Sequence, residues 1–193
     1  MTKIINPILR GFNPDPCICK AKDKYYIITS TFEWMPGVSV YESDDMVNWK
    51  RHGAILNSLD LRGIPDSAGV WAPALTYYED TFYLIYTVSK QIDGYFKDVE
   101  NYVITAPTID GPWSEPLFIN ASGFDPSMIH VDGKHYVLNP QWDSRPLNGH
   151  KKFNGLLLQE FDFEKGMIGE AKVVFKGSAT GGTEGPHLMK KGD

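Results

Sequence analysis

"NPDPCICKAKDKYYIITSTF", residues 13–32, opens on an aspartate held between two prolines, runs on through alternating residues, turns at Lys22-Asp23-Lys24 and returns as an aromatic-rich stretch. Alternation over a short run is the period of a half-buried strand, and two such runs around a polar turn mark a hairpin. The pattern recurs as "VWAPALTYYEDTFYLIYTVS" from Val70, with its turn at Glu79-Asp80, and as "GFDPSMIHVDGKHYVLNPQW" from Gly123, with its turn at Asp132-Gly133. A fourth beginning, "TEGPHLMKKGD", starts at Thr183. The anchor prolines Pro16, Pro73, Pro126 and Pro186 lie 57, 53 and 60 residues apart. A near-constant period of this size is the signature of stacked supersecondary units.

The rest of each unit agrees. "VSVYESDDMVNWKRHG" follows the first hairpin and "YVITAPTIDGPWSEP" the second, each reading as strand, turn and strand, with Trp49 and Trp113 at the ends of outer strands as packing residues. Two hairpins per unit make a four-stranded antiparallel sheet of about 50 residues, the size of a β-propeller blade. The fold class is therefore all-β. Three blades and the first strand of a fourth use up residues 1–193, so the chain reads as an incomplete, N-terminal portion of a propeller domain. A ring left open exposes apolar sheet faces, which predicts self-association through them.

Composition supports this class and excludes others. Aromatic residues reach 13%, which suits strands and sugar-binding surfaces, and the net charge of −5 without a basic block argues against a nucleic-acid partner. No apolar run is long enough for a membrane span and no signal-like h-region opens the chain, so no membrane partner is expected and the expected location is cytoplasmic. Cys17 and Cys19 are the only cysteines and fall on one side of a strand, too close for an unstrained disulfide. They read as small buried apolar residues. His130, His135 and His150 show no metal-ligand spacing, and nothing calls for a metal or cofactor. Asn120-Ala121-Ser122 matches a glycosylation triplet, which means little without a secretion signal.

In a propeller the first strand of each blade lines the central channel, so chain entering that strand sits at one mouth of it. The residues before the anchor prolines are Asp15, Ala72 and Asp125, and Glu184 stands one place earlier in its unit. Three of four sectors thus bring a carboxylate to one place, and the remaining sector brings Trp71. A lone Asp-Pro is ordinarily a turn with a solvated carboxylate. Equivalent positions in a repeat point to a shared site instead. The proline after each aspartate biases it toward extended backbone. Gly181 and Gly182 ahead of Glu184 would let the backbone approach the channel closely.

At these positions the sequence resembles glycoside hydrolase family 43, and within it the β-1,4-xylosidases. "FNPDP", "TSTFEW", "SAGVWAPAL", "GPWSEP", "SGFDPS" and "TEGPHL" occur in that order along essentially the whole chain. The resemblance implies a five-bladed propeller and an inverting, exo-acting hydrolase that releases xylose from xylo-oligosaccharides without a cofactor. It implies Asp15 as general base, Glu184 as general acid, and Asp125 as the carboxylate that orients the acid and tunes its pKa. It also implies Phe32, Trp71 and Phe124 as walls of the sugar subsite and Trp142 near the aglycone side. Met189 replaces the aromatic residue usual after "GPHL", and an arginine and a histidine that help bind substrate would lie beyond Asp193.

The chemistry independently gives three acids work to do. Inversion needs a protonated carboxyl at the leaving oxygen and an ionised one activating water on the opposite face, roughly 6.5–9.5 Å away. An isolated glutamate is ionised near neutrality, and a like charge at about 6 Å in an effective dielectric of about 20 costs some ~3 kcal/mol, or roughly two pKa units. The proton then belongs to the set. Two other readings stay open: an α-L-arabinofuranosidase using the same acids, and a non-catalytic sugar-binding propeller.

Overall fold

The computed structural model describes residues 3–93, 98–143 and 153–191. His150 lies outside them. The described chain contains strands and no helix, grouped in three antiparallel sheets. The first is a meander of β1 (Cys17–Ala21), β2 (Lys24–Thr29), β3 (Gly37–Ser43) and β4 (Lys50–Leu56). In the second, β5 (Gly69–Val70) and β6 (Ala74–Tyr78) both pair with β7 (Thr81–Ser89), which continues to β8 (Val99–Ala106) and β9 (Leu117–Asn120). The third runs β10 (Ser127–Val131), β11 (Lys134–Trp142), β12 (Phe153–Asp162) and β13 (Gly166–Phe175). These are three consecutive propeller blades.

The repeat holds at the level of register. Cys17 faces Ile28, Ala74 faces Ile85 and Ser127 faces Leu138, so the opening hairpins superpose on the proline spacing residue for residue. Each closes through a two-residue loop, because Ala21 pairs with Lys24, Tyr78 with Thr81 and Val131 with Lys134. In the second and third loops both central residues, Glu79-Asp80 and Asp132-Gly133, have positive φ, the conformation whose twist matches the strands it joins. Pro73 cannot donate to a ladder, which explains the break between β5 and β6, and the Trp71 N–H bridges that break by donating to the Thr87 carbonyl at 3.1 Å.

The first strands face one another across the blades: β6 packs against β1 on one side and β10 on the other. Apolar side chains of neighbouring sheets close the seams. Tyr26 meets Phe82 edge-on at 5.6 Å, and Cys17 is buried with its sulfur accepting from the Leu75 N–H. Polar pins supplement them. His52 bridges Glu42 and Asp110, while His130 contacts the Thr76 hydroxyl at 2.7 Å and stacks on Tyr78. Burial lowers His130 to about 4, so it is a neutral seam residue. Both cysteines are free and buried as expected.

The structure departs from the sequence-based expectation at Trp113 and in the last residues. Trp49 immediately precedes β4, whereas Trp113 packs against the core from the loop between β8 and β9; each indole N–H donates to a carbonyl of its own loop, Met46 and Ile109 respectively. Residues 187–191 form no strand. A strand needs a ladder partner, and the described residues place none beside this stretch; Pro186 is nonetheless held against the third blade by the Ser127 hydroxyl at 2.6 Å.

Candidate active site

Asp15, Ala72, Asp125 and Glu184 come together. With Pro16, Pro73, Pro126, Gly185 and His187 they line one cavity of about 340 Å³, a size typical of small-molecule sites. The convergence follows from the fold: Asp15, Ala72 and Asp125 each sit where a blade's chain turns into the strand nearest the axis, and Glu184 joins them from the segment after the third blade.

The backbone at the two aspartates is not extended. Asp15 has φ 51° and Asp125 φ 52°, the left-handed region that a non-glycine residue enters at a cost. Aspartate is among the side chains that tolerate it best, and the same strain recurs at the same repeat position. Each is secured by a neighbour that motif reading did not single out. The Ser30 hydroxyl at the end of β2 donates to Asp15 Oδ2, and the Pro14 carbonyl accepts from the Ser30 N–H at 3.1 Å. Asp125 Oδ2 accepts the Gly185 N–H at 3.1 Å, which ties it to the peptide adjoining Glu184, and its own N–H donates to Thr87 Oγ1 at 3.2 Å.

Electrostatics separates these groups. Asp125 is pushed up to about 7, first by burial and then by the negative charges of Glu184 and Asp15, against the lowering effect of the Gly185 N–H. Asp15 and Glu184 are exposed. His187 shows an exposed edge, yet enough protein surrounds its ring to lower its pKa and keep it neutral at pH 7. Among the described residues no cluster of three or more His, Cys, Asp or Glu is arranged to hold a metal ion.

The four aromatic candidates do not line the acidic cavity; Trp71 and Phe124 stand one residue before its lining residues Ala72 and Asp125. Trp71, Phe124 and Trp142 form a row, with Trp71 edge-on to Phe124 at 5.2 Å and Phe124 stacked on Trp142 at 5.8 Å. Phe124 is only 6% exposed, a wedge between two half-buried indoles. Phe153, unnoticed in the sequence, extends the row from Trp142 at 5.8 Å. Trp142 Nε1 is buried without a hydrogen-bond partner among the described residues. Phe32 lies apart from the row. Its ring meets Phe12 at 6.0 Å, and its backbone pairs with Val70 through two 2.9 Å hydrogen bonds. Gly181 has open space at its Cα; it is Gly182 that makes a close approach, and it packs on the Trp142 ring.

The profile of glycosyl hydrolases family 43 matches residues 4–193. The chain belongs to this family. It is 50% identical to a β-xylosidase of Bacillus subtilis over 99% of its own length and 36% of the relative's, and 48% identical to "Xylosidase/arabinosidase 43B" of Humicola insolens over 99% and 36%. The crystal structure of a xylan β-1,4-xylosidase from Bacillus halodurans superposes with a TM-score of 0.94 at 48% identity, covering 98% of this chain and 37% of that one. The chain thus spans little more than a third of the length of the relatives it matches. The three blades are part of a family 43 propeller.

Proposed function

We propose that this chain carries the catalytic carboxylates of an inverting, exo-acting β-1,4-xylosidase acting on xylo-oligosaccharides, in a protein with the propeller length of its family 43 relatives. The observation that carries the reading is the meeting of Asp15, Asp125 and Glu184, from three different repeat units, around one cavity. Asp15 is the base: exposed, and oriented by the Ser30 hydroxyl, it takes a proton from the attacking water. Glu184 is the acid that protonates the leaving oxygen. Asp125, bonded to the Gly185 N–H, fixes the acid's peptide and supplies the like charge that retains a proton in the set near neutrality. Trp71 and Trp142, spaced by Phe124, offer ring faces and edges to the sugar; Phe32, paired through its backbone with Val70 next to Trp71, adds a wall away from that row. As a protein of this length, the chain works weakly or not at all, because subsite walls and preorganisation are shared around a ring.

Leaving-group dependence tests the roles in a chain of the relatives' length. Glu184→Ala should lose about 10³-fold on xylobiose and far less on an activated aryl xyloside, which needs little protonation. Asp15→Ala should lose heavily on both. Equal dependence in the two variants, or NMR detection of first-formed xylose with retained anomeric configuration, overturns the assignment. The name of the Humicola relative supports a second reading, action on α-L-arabinofuranosides. The ratio of turnover on 4-nitrophenyl β-xyloside and α-arabinofuranoside decides between them. Xylobiose binding by calorimetry without hydrolysis, in the longer chain, would instead favour a sugar-binding module.

A further inference from the structure

Behind Asp125 lies a buried ladder of amides and hydroxyls that the catalytic proposal does not use. Thr87 Oγ1 accepts the Asp125 N–H and donates to Asn101 Oδ1 at 2.7 Å. Asn101 Nδ2 donates to Asn120 Oδ1 and to the Gly123 carbonyl, both at 2.8 Å. Asn120 Nδ2 reaches Asn139 Oδ1 at 3.2 Å, and Asn139 Nδ2 donates to Ser122 Oγ at 3.1 Å and to the Pro140 carbonyl at 2.9 Å. Thr87 and Asn101 are completely buried and Asn139 nearly so. Buried amides persist only where their hydrogen bonds are made, and both hydrogens of Asn101 and of Asn139 are used. Apart from the bond from Asn139 to the Pro140 carbonyl, the rungs that leave the ladder land on the segment 120–125: on Ser122 Oγ, the Gly123 carbonyl and the Asp125 N–H. The triplet Asn120-Ala121-Ser122 is committed to this ladder.

The first blade has a simpler counterpart. Ser30 and Thr87 occupy equivalent positions, 57 residues apart, and both hydroxyls hold an aspartate of the cavity. Ser30 grips the carboxylate of its own blade. Thr87 grips the backbone of the next blade's aspartate, where the left-handed φ must be maintained.

We infer that Thr87, backed by Asn101, is a positioning residue that locks the strained Asp125 backbone and thereby holds its carboxylate against Gly185, beside Glu184. The inference rests on the reading of Asp125 as the tuning carboxylate. Without the Thr87 acceptor, the half-buried Asp125 N–H loses its partner, the segment relaxes, and the carboxylate turns from Glu184 and Asp15 toward water. Those two acids and His187 are the titratable groups around it in the cavity; the ladder contains none.

Thr87→Val preserves shape and removes the acceptor, whereas Thr87→Ser preserves the acceptor. Carbon-detected NMR titration of Asp125 in this chain needs no substrate. The valine variant should titrate at least about one pH unit lower and the serine variant within roughly 0.3 of the parent. In a chain of the relatives' length, the valine variant should also lose roughly tenfold or more in kcat on xylobiose with little change in KM, and its alkaline limb should move down. An unshifted Asp125 titration in Thr87→Val, or equal shifts in the valine and serine variants, overturns the proposal. Should the valine variant not fold, Ser122→Ala removes one anchor of the same segment, and an unchanged Asp125 titration there overturns it equally. A shifted titration, with no xyloside cleaved by the chain of the relatives' length, upholds the positioning role and removes the xylosidase reading.

Discussion

Asp125 is where position and proton affinity meet. Folding raises its carboxyl from the usual aspartate range to about 7, so the unfolded chain ionises it first. Between those two values the native state binds the extra proton. Its contribution to stability is complete below about pH 4 and is lost as pH rises toward 7. Asp125→Asn removes the titration but keeps the acceptor for the Gly185 N–H and a side chain that tolerates positive φ. At pH 8 this variant should therefore be more stable than the parent by on the order of 2 kcal/mol, several degrees in Tm, and close to it at pH 4. A Tm difference that does not change from pH 4 to pH 8 would contradict the account of why Asp125 is raised. Activity should fall in the same substitution, since the charge that destabilises the fold is the one the acid needs. Sequence reading located Asp15, Asp125 and Glu184 because Asp-Pro and Glu-Gly-Pro are local patterns repeated in register. It did not locate Ser30 or Thr87: a hydroxyl at a strand end has no local signature of the aspartate it will meet.

At the scale of elements, the hairpins were legible for a definite reason. Period-two alternation, a two-residue turn and an anchor proline all act within twenty residues, and Cys17–Ile28, Ala74–Ile85 and Ser127–Leu138 show the result. The ladder was not legible, because Thr87, Asn101, Asn120 and Asn139 lie on different strands and only the assembled second and third blades bring them together. Phe124 illustrates the same limit: its aromatic character was visible, but its burial between Trp71 and Trp142 depends on which way the strained segment points. Glycines give a direct test of that packing. A Cβ on Gly123 would lie 1.8 Å from the Pro140 carbonyl oxygen, whereas a Cβ on Gly53 of β4 meets nothing within 4 Å. Gly123→Ala should cost about 2–4 kcal/mol and displace Asp125 with the segment. Gly53→Ala should be neutral or gain up to about 1 kcal/mol through the unfolded chain. Chemical denaturation of both variants checks the contrast, and equal midpoints would contradict the close packing of segment 120–125.

The whole molecule is governed by what the blades leave uncovered. Each blade of a propeller buries its faces between two neighbours, and here β6 has β1 on one side and β10 on the other, so among the described residues the second blade is the one flanked on both sides. The outer blades show the consequence. Ile18 on β1 is 56% exposed, and Val173, Val174 and Phe175 on β13 are 44%, 48% and 40% exposed. On β13 the three apolar residues stand together between Lys172 and Lys176. Apolar surface of this kind is removed from water either by further blades or by another copy of the chain. Sedimentation of the 193-residue protein should therefore give a mass above 21.7 kDa that rises with concentration. Ile18→Lys together with Val174→Lys should shift the distribution toward the monomer without lowering Tm by more than a few degrees, because both sites are solvent-facing in the monomer. A single 21.7 kDa species over a hundredfold range of concentration would show that the outer faces do not associate.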